Sequence, residues 1–417
     1  MADVSPGFDE SSVPGTAGLD ARVLWTLLAG NALTMVGIGF FLPILPLLIA
    51  ARGGGAGLVG LVFASGVVAR ALIQYPAGRL SDRIGRRPVI VGSLVLYALI
   101  FPLYVLHLPP ATLLAVRFLH ALAAGGYEPA ALALVADLTR AERRGAAFSR
   151  LRASDTLGLL LGPALGGLVA GFRLEYVFWV GAVVCLGAAG LMLGLPRPPT
   201  KRAEEPGPGV DAAGTAARPS PSGGVRPARL LWQLVPVLAL GFPILWTFGA
   251  YDTVWSLYMT SRGADTFLVG LSFATYALPV VAFAGLAAGL ADRLGWVRAG
   301  TLSLISFGLL AASYPFVASV AALILIGFLE GTLTAAGQPA LSAEVSRVAP
   351  EGAQGRTQGL YQTGLNVAQV VGAVAAGWLY EVGPVYAFLS CTAVCLMGAG
   401  ASALLRRARS AAPAPRT

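Results

Sequence analysis

The chain has 417 residues, is 56% hydrophobic and only 12% charged, and carries a net charge of +9. A soluble domain usually holds about 25% charged residues, so a water-soluble globular protein is excluded. The basic excess would suit a nucleic-acid binder, but its placement along the chain assigns it elsewhere.

The first 20 residues hold Asp3, Asp9, Glu10 and Asp20 and lack the basic start and apolar core of a signal peptide. Residues 1–21 are expected to form a tail, and the first apolar run an uncleaved insertion signal. Apolar runs of twenty or more residues then begin near Val23, Gly57, Val89, Ala111, Ala146, Leu174, Leu231, Thr266, Ala299, Val320, Gln358 and Val385. Each can cross a hydrocarbon layer of about 30 Å as a helix. Alternating strand patterns are absent, and helices then remain the only spanning structures that satisfy their backbone in lipid. The fold class predicted is an all-α membrane protein of twelve spans. Between the sixth and seventh, residues 196–229 are dominated by Pro, Gly and charge, the composition of a flexible linker. The organisation expected is a bundle over 22–195, the linker 196–229, a bundle over 230–405 and a tail over 406–417.

With the N-terminus inside, 24 of the 29 Lys and Arg fall in inside loops and tails. Arg52, Arg173 and Arg262 fall outside, and Arg70 and Arg117 within spans. This bias predicts cytoplasmic termini in the inner membrane and leaves no basic patch for nucleic acid. Cys185, Cys391 and Cys395 lie within spans, with no metal-ligand spacing or disulfide framework, and there are only two His. No nucleotide loop, catalytic triad or metal cluster appears, so no enzyme, cofactor or metal is expected.

An offset of 210 residues aligns the two halves. Leu58–Ala64 (LVGLVFA) meets Leu268–Ala274 (LVGLSFA), Arg52-Gly53 meets Arg262-Gly263, and Leu80–Gly85 (LSDRIG) meets Leu290–Gly295 (ADRLG after the Leu). Phe118-Leu119 meets Phe328-Leu329, Pro129-Ala130 meets Pro339-Ala340, and Gly145, Gly162 and Gly167 meet Gly355, Gly372 and Gly377. The chain is a duplicated six-helix unit, and two such bundles leave a cleft between them.

Gly78 to Arg87, GRLSDRIGRR, resembles the signature loop between helices 2 and 3 of the major facilitator superfamily, with Ser81 where the family usually has Ala. The resemblance covers all twelve spans and implies two pseudo-symmetric bundles that rock about a central site. It also implies a conformational latch built from Gly78, Asp82, Arg83 and Arg86. Asp82 would meet the start of helix 11 near Gly355–Gln358, where a carboxylate is favoured, and Arg86 would pair with Asp137 at the end of helix 4. In the second copy Trp296 and Val297 replace the paired basic residues, which implies a weaker latch. Gly158-x-x-x-Gly162-Pro163-x-x-Gly166-Gly167 is similar to the helix-5 motif of the antiporters in that superfamily, although an expected upstream Gly is Ser149 here. Glycines at i, i+4 and i+8 allow close helix contact; Gly285 and Gly289 on helix 8 have the same spacing, and Pro163 should bend helix 5.

A charge near the bilayer centre costs roughly 2.5–3.5 kcal/mol, which singles out Arg70, Arg117, Glu128, Asp155, Asp252 and Glu330. Their counterparts at the 210-residue offset are Val280, Gly327, Gln338, Leu365, Leu42 and His120, so the scaffold alone does not demand the charges. Arg117 and Glu128 are 11 residues apart, about three turns plus 20°, and share one face roughly 16 Å apart. RFLHALAAGG (Arg117 to Gly126) resembles the family's helix-4 motif, whose Arg is tied to proton movement. In this family helices 1, 4, 7 and 10 line the cavity. That implies Asn31 and Thr34 from helix 1, His120 from helix 4, Phe248, Tyr251, Trp255 and Tyr258 from helix 7, and Thr334 and Gln338 from helix 10. Glu128, Arg117, Asp155, Glu330 and Asp252 are the proton-coupling candidates, because a buried carboxyl favours its protonated form. Arg70, at the depth of Glu128, either forms a buried pair with it or stands apart, and Asp155 can join them.

Together these residues predict a secondary active transporter that expels small amphipathic or drug-like molecules in exchange for protons. A sugar or organic-acid carrier of the same fold is the alternative, and a non-transporting membrane sensor a more distant one. The expected partners are a small-molecule substrate, protons and the lipid bilayer, for a chain acting as a monomer.

Overall fold

The computed structural model describes residues 21–139, 143–195, 227–350 and 354–411, and among these residues the regular structure is helical, with no strand. The first half comprises Ala21–Phe41 continued by Leu45–Ala51, Ala56–Ile84, Arg86–Ile100, Thr112–Ala124 continued by Tyr127–Leu138, Arg144–Ala170 and Tyr176–Leu193. The second comprises Pro227–Ser261, Thr266–Ala282, Ala284–Ser313, Val320–Thr334 continued by Gly337–Val348, Gln354–Val382 and Pro384–Ala411. Among the described residues eleven helices are long and apolar enough to cross a membrane. The twelfth is hidden by a break. Pro279 lies within Thr266–Ala282 and the helix stops at Phe283, while Ala284–Ser313 contains a kink at Gly295 with φ 74° and ψ 154°. Proline removes a backbone donor and crowds the preceding turn. The eighth span is therefore Thr266–Ala282 plus the residues up to the kink, and the ninth follows it. The expected linker lies outside the described residues except for 227–229, which are already helical, and the expected tail is helical to Ala411. Pro163 sits inside Arg144–Ala170 without ending that helix.

The duplication governs local geometry as well as sequence. Among the described residues the glycines with positive φ are Gly53 and Gly263 at 81° and 88°, and Gly85 and Gly295 at 98° and 74°. They form two pairs at the 210-residue offset, each at a sharp turn that only glycine enters without steric cost. The fourth and tenth spans break at matching places, after Ala124 and after Thr334.

Each half packs around its own core. Phe41, Phe101, Tyr104 and Phe178 are fully buried in the first half, and Tyr258, Phe307, Tyr314 and Phe388 in the second. Large apolar side chains such as Leu72, Trp179, Leu286, Phe316 and Leu325 are exposed on the outside. An apolar belt of this kind needs lipid to cover it, and the chain is a multi-pass membrane protein.

Glycine sets the close contacts. Gly158, Gly162 and Gly166 of the fifth span lie against Ala32, Val36, Gly39 and Phe40 of the first, where an added Cβ would meet backbone atoms. Gly249 and Gly372 join the seventh and eleventh spans in the same way. The expectation that Gly285 and Gly289 serve this stripe is corrected: among the described residues no neighbouring span comes within 4 Å of where a Cβ of either would stand. The fifth span meets the eighth through its next face, where Gly167 and the Pro163 carbonyl contact Thr266 and Gly270.

Among the described residues the tight glycine contacts between the halves gather at one end. Gly60 abuts Ala373, Gly377 abuts Ala56 and Gly57, and Gly270 abuts Pro163. All lie toward the end bearing Arg52, Arg173 and Arg262, the sparse end. Toward the opposite, basic end, Gly78, Gly145, Gly285, Gly289, Gly355 and Gly359 have open space at the Cβ position among the described residues. The bundles are sealed at the sparse end and parted at the basic end.

Candidate functional site

Two cavities meet between the halves. The first, about 220 Å³, has walls of Phe248, Tyr251, Trp255, Tyr276 and Tyr314 around Glu330. The second, about 390 Å³, is polar and includes Asn31, Arg70, Arg117, Glu128, Arg152 and Asp155. Leu42, Leu159 and Asp252 line both. A third hollow of about 520 Å³ takes in Phe248, Tyr276, Thr334, Gln338 and Arg152.

Glu330 is 1% exposed. Tyr251 donates to its Oε1 at 3.0 Å and Tyr314 to its Oε2 at 2.5 Å. No cation pairs with it among the described residues. A carboxyl group held only by hydroxyls can exchange a proton for a cationic ligand group without first breaking an ion pair. Asp252 stands on the next residue of the seventh span after Tyr251 and accepts from Gln369 Nε2 at 3.3 Å.

On the other side Asn31 organises the first, fourth and fifth spans. It donates to Asp155 Oδ1 at 2.7 Å and Ser154 Oγ at 2.8 Å, and accepts from the Tyr127 hydroxyl at 2.6 Å. Arg152 pairs with Glu128 at 3.3 Å and with Asp155 at 3.2 Å. Arg117 lies over the Phe41 ring at 5.0 Å.

One open alternative and three expectations are decided here. Arg70 forms no pair with Glu128, because Arg152 reaches that carboxylate from the fifth span. His120 is not in the cavity: it is fully buried, stacked on Tyr97 at 3.7 Å between ring centroids, with Nδ1 3.3 Å from the Tyr104 hydroxyl. Three residues along a helix leave the two side chains about 60° apart on neighbouring faces, and His120 is enclosed by Tyr97 and Phe101 of the third span. Tyr258 is buried as well, its hydroxyl donating to the Tyr314 carbonyl. Thr34 is 1% exposed, and its hydroxyl donates to the Gly30 carbonyl of its own helix.

At the basic end Arg86 pairs with Asp137 at 3.0 Å and with Asp82 one turn back. Asp82 is 63% exposed and, among the described residues, pairs with Arg86 and with no residue of the eleventh span, contrary to expectation. Arg83 is exposed. At the sparse end Glu381 of the eleventh span accepts from the backbone N–H of Gly57 at 2.8 Å, in the first turn of Ala56–Ile84. Sequence reasoning missed Glu381, Tyr314, Tyr276, Arg152 and Gln369. The signal for Tyr314 was available: it stands at the 210-residue offset from Tyr104, just as Glu330 does from His120.

The family description Major Facilitator Superfamily matches residues 27–317 and 237–417. Multidrug resistance protein 2 of Bacillus subtilis (strain 168) is 24% identical over 413 residues, which cover 95% of this chain and 98% of that protein. Tetracycline resistance protein, class D, of Salmonella ordonez is 28% identical over 364 residues, 84% of this chain and 87% of that protein. The crystal structure of peptide transporter POT in complex with sulfate superposes with a TM-score of 0.76 at 16% identity, over 96% of this chain and 99% of that one, a likeness of fold.

Proposed function

The chain belongs to the major facilitator superfamily, and on that premise we propose that it exports small amphipathic molecules in exchange for protons. The observation that carries the reading is Glu330, buried against two tyrosine hydroxyls on the wall of an aromatic cavity, with Asp252 linking that cavity to a polar one. Aromatic walls accept varied apolar bodies without strict geometry, and an intramembrane carboxyl is a natural proton carrier. Two relatives are named for resistance to drugs and to tetracycline, which agrees with export.

In this reading the basic end faces the cytoplasm, both termini lie there, and the protein is an inner-membrane monomer of two bundles joined by the 196–229 linker. The conformation is open to the cytoplasm, ready to load substrate. Proton loading of Glu330 and Asp252 alternates with substrate occupancy of the cavities they line, with Glu128 and Asp155 held by Arg152 as a switchable network. Arg86 with Asp137, and Asp82, form the cytoplasmic latch, open here. Gly158, Gly162, Pro163, Gly166 and Gly167 keep the fifth span sealed against ion leak.

The test is the purified chain in proteoliposomes carrying an internal pH dye. Amphipathic compounds added outside should drive proton movement in the wild type and not in Glu330→Gln. The reading falls if Glu128→Gln and Glu330→Gln both keep substrate-driven proton exchange. It falls equally if the wild type passes none of a panel of cationic dyes, antibiotics and sugars.

A further inference from the structure

The polar cavity holds two guanidinium groups outside any ion pair within 4 Å, with the Asp252 carboxylate on the same wall. Glu128 and Asp155 are both taken by Arg152, and Asp252 is held by Gln369. Neither Arg70 nor Arg117 belongs to an ion pair among the described residues.

Arg117 is built into its place. Its guanidinium carbon lies 5.0 Å from the Phe41 ring centroid and 6.0 Å from that of Phe63. A Cβ at Gly66 would stand 2.8 Å from its Nε, so a glycine on the second span makes room for it. That Nε is buried and has no hydrogen-bond partner among the described residues. Arg70 follows Gly66 by one turn of the same helix, a spacing that puts both on one face, and it lines the same cavity as Arg117. Arg70 is exposed to this cavity and Arg117 is half-buried in its wall, so two guanidinium groups outside any ion pair face a common space. The planar guanidinium fork matches a carboxylate or phosphonate better than any neutral group. From this cavity the way past Leu42, Leu159 and Asp252 leads into the aromatic lobe.

We propose that Arg70 and Arg117 form an anion-recognition subsite, so that the preferred substrates carry a carboxylate or comparable anionic head on an aromatic body. The head sits between the two arginines in the first half, and the body lies against Tyr251, Trp255 and Tyr276 in the second. This rests on the export reading and adds the substrate class to it. A ligand of that form spans the two bundles, so its binding is sensitive to how they sit relative to each other.

The experiment is calorimetric binding to the full chain in lipid nanodiscs with three naphthalene probes that differ only in the head: 2-naphthylacetate, 2-(2-naphthyl)ethanol and 2-(2-naphthyl)ethylamine. The acetate is expected to bind more tightly than the alcohol. Arg70→Gln and Arg117→Gln should each weaken the acetate about tenfold, as loss of a charged hydrogen bond does. They should leave the alcohol unchanged, which also reports that the variants are folded, and Arg70→Lys should recover part of the loss. The proposal is overturned if the wild type binds acetate no better than alcohol, or if the Gln variants weaken both probes alike. Tight binding and proton exchange by the amine with none by the acetate would overturn it while leaving export standing. Wild-type protein that binds and exchanges none of the three, or of the wider panel, ends both.

Discussion

His120 and Glu330 occupy the same place in the two halves, and each meets a tyrosine that is also paired at the 210-residue offset, Tyr104 or Tyr314. One site was filled by a stacked aromatic plug, the other by an acid at a cavity wall. The sequence made both intramembrane polar groups visible but not the difference between them. A helical face can be computed from spacing, whereas what packs on that face comes from other spans. His120 faces Tyr97 and Phe101 of the third span, and nothing in its own helix announces that. The contrast is testable. His120→Gln is expected to leave substrate-driven proton movement per folded molecule unchanged, while Glu330→Gln removes it. Tyr314→Phe leaves one buried carboxyl oxygen unsatisfied and should cost about 1–3 kcal/mol, read as a lower unfolding midpoint in detergent. In Glu330→Gln the same Tyr314→Phe change should cost less, because the two groups act as one unit. Equal costs in both backgrounds would deny that the hydroxyl supports the acid.

At the scale of the helix, the glycine signature was legible in sequence and its partner was not. Gly158, Gly162 and Gly166 recur every four residues, which fixes a smooth face. Pro163 and Gly167 mark a second face about 100° away, and the two serve different neighbours. The first packs within the bundle on the first span, and the second across the bundles on the eighth. Two classes of substitution should therefore behave differently. Gly166→Ala puts a methyl against the Phe40 carbonyl inside one rigid half and should destabilise every conformation by about 1–3 kcal/mol, lowering the unfolding midpoint. Gly60→Ala puts one against Ala373 across the seal and should instead tip the molecule toward opening at the sparse end. A Leu42→Cys reporter reads this, since Leu42 lines both cavities and the native Cys185, Cys391 and Cys395 are buried. An impermeant maleimide applied from the sparse side should label faster in Gly60→Ala and at the wild-type rate in Gly166→Ala. The reverse pattern would mean the seal and the bundle interior have been confused.

At the scale of the whole molecule, two features differ sharply in how far sequence reaches. The twelve spans, the duplication and the side that carries the basic loops follow from composition and offset, because the bilayer leaves a chain few alternatives. Which end is shut does not follow, because both arrangements use the same helices and differ only in which ends touch. The contact made at the sparse end supplies a physical handle. Glu381 of the eleventh span meets the first turn of the second through Gly57 N, where the helix dipole favours a negative charge. Asp82, at the other end of that second span, has no such partner across the halves among the described residues. The resemblance places it on the start of the eleventh span in the opposite one. The same helix pair then carries a carboxylate at each end, and each is engaged in only one conformation. An exposed carboxylate at a helix start contributes about 0.3–1 kcal/mol, so removing either charge should move the population ratio by about two- to fivefold. Glu381→Gln should speed labelling of the Leu42→Cys reporter from the sparse side, and Asp82→Asn should slow it. The double variant should return near the wild-type rate, since two opposed biases cancel when they act on one equilibrium. Shifts of the same sign in both single variants would show that the two acids do not latch opposite ends of one rocking motion.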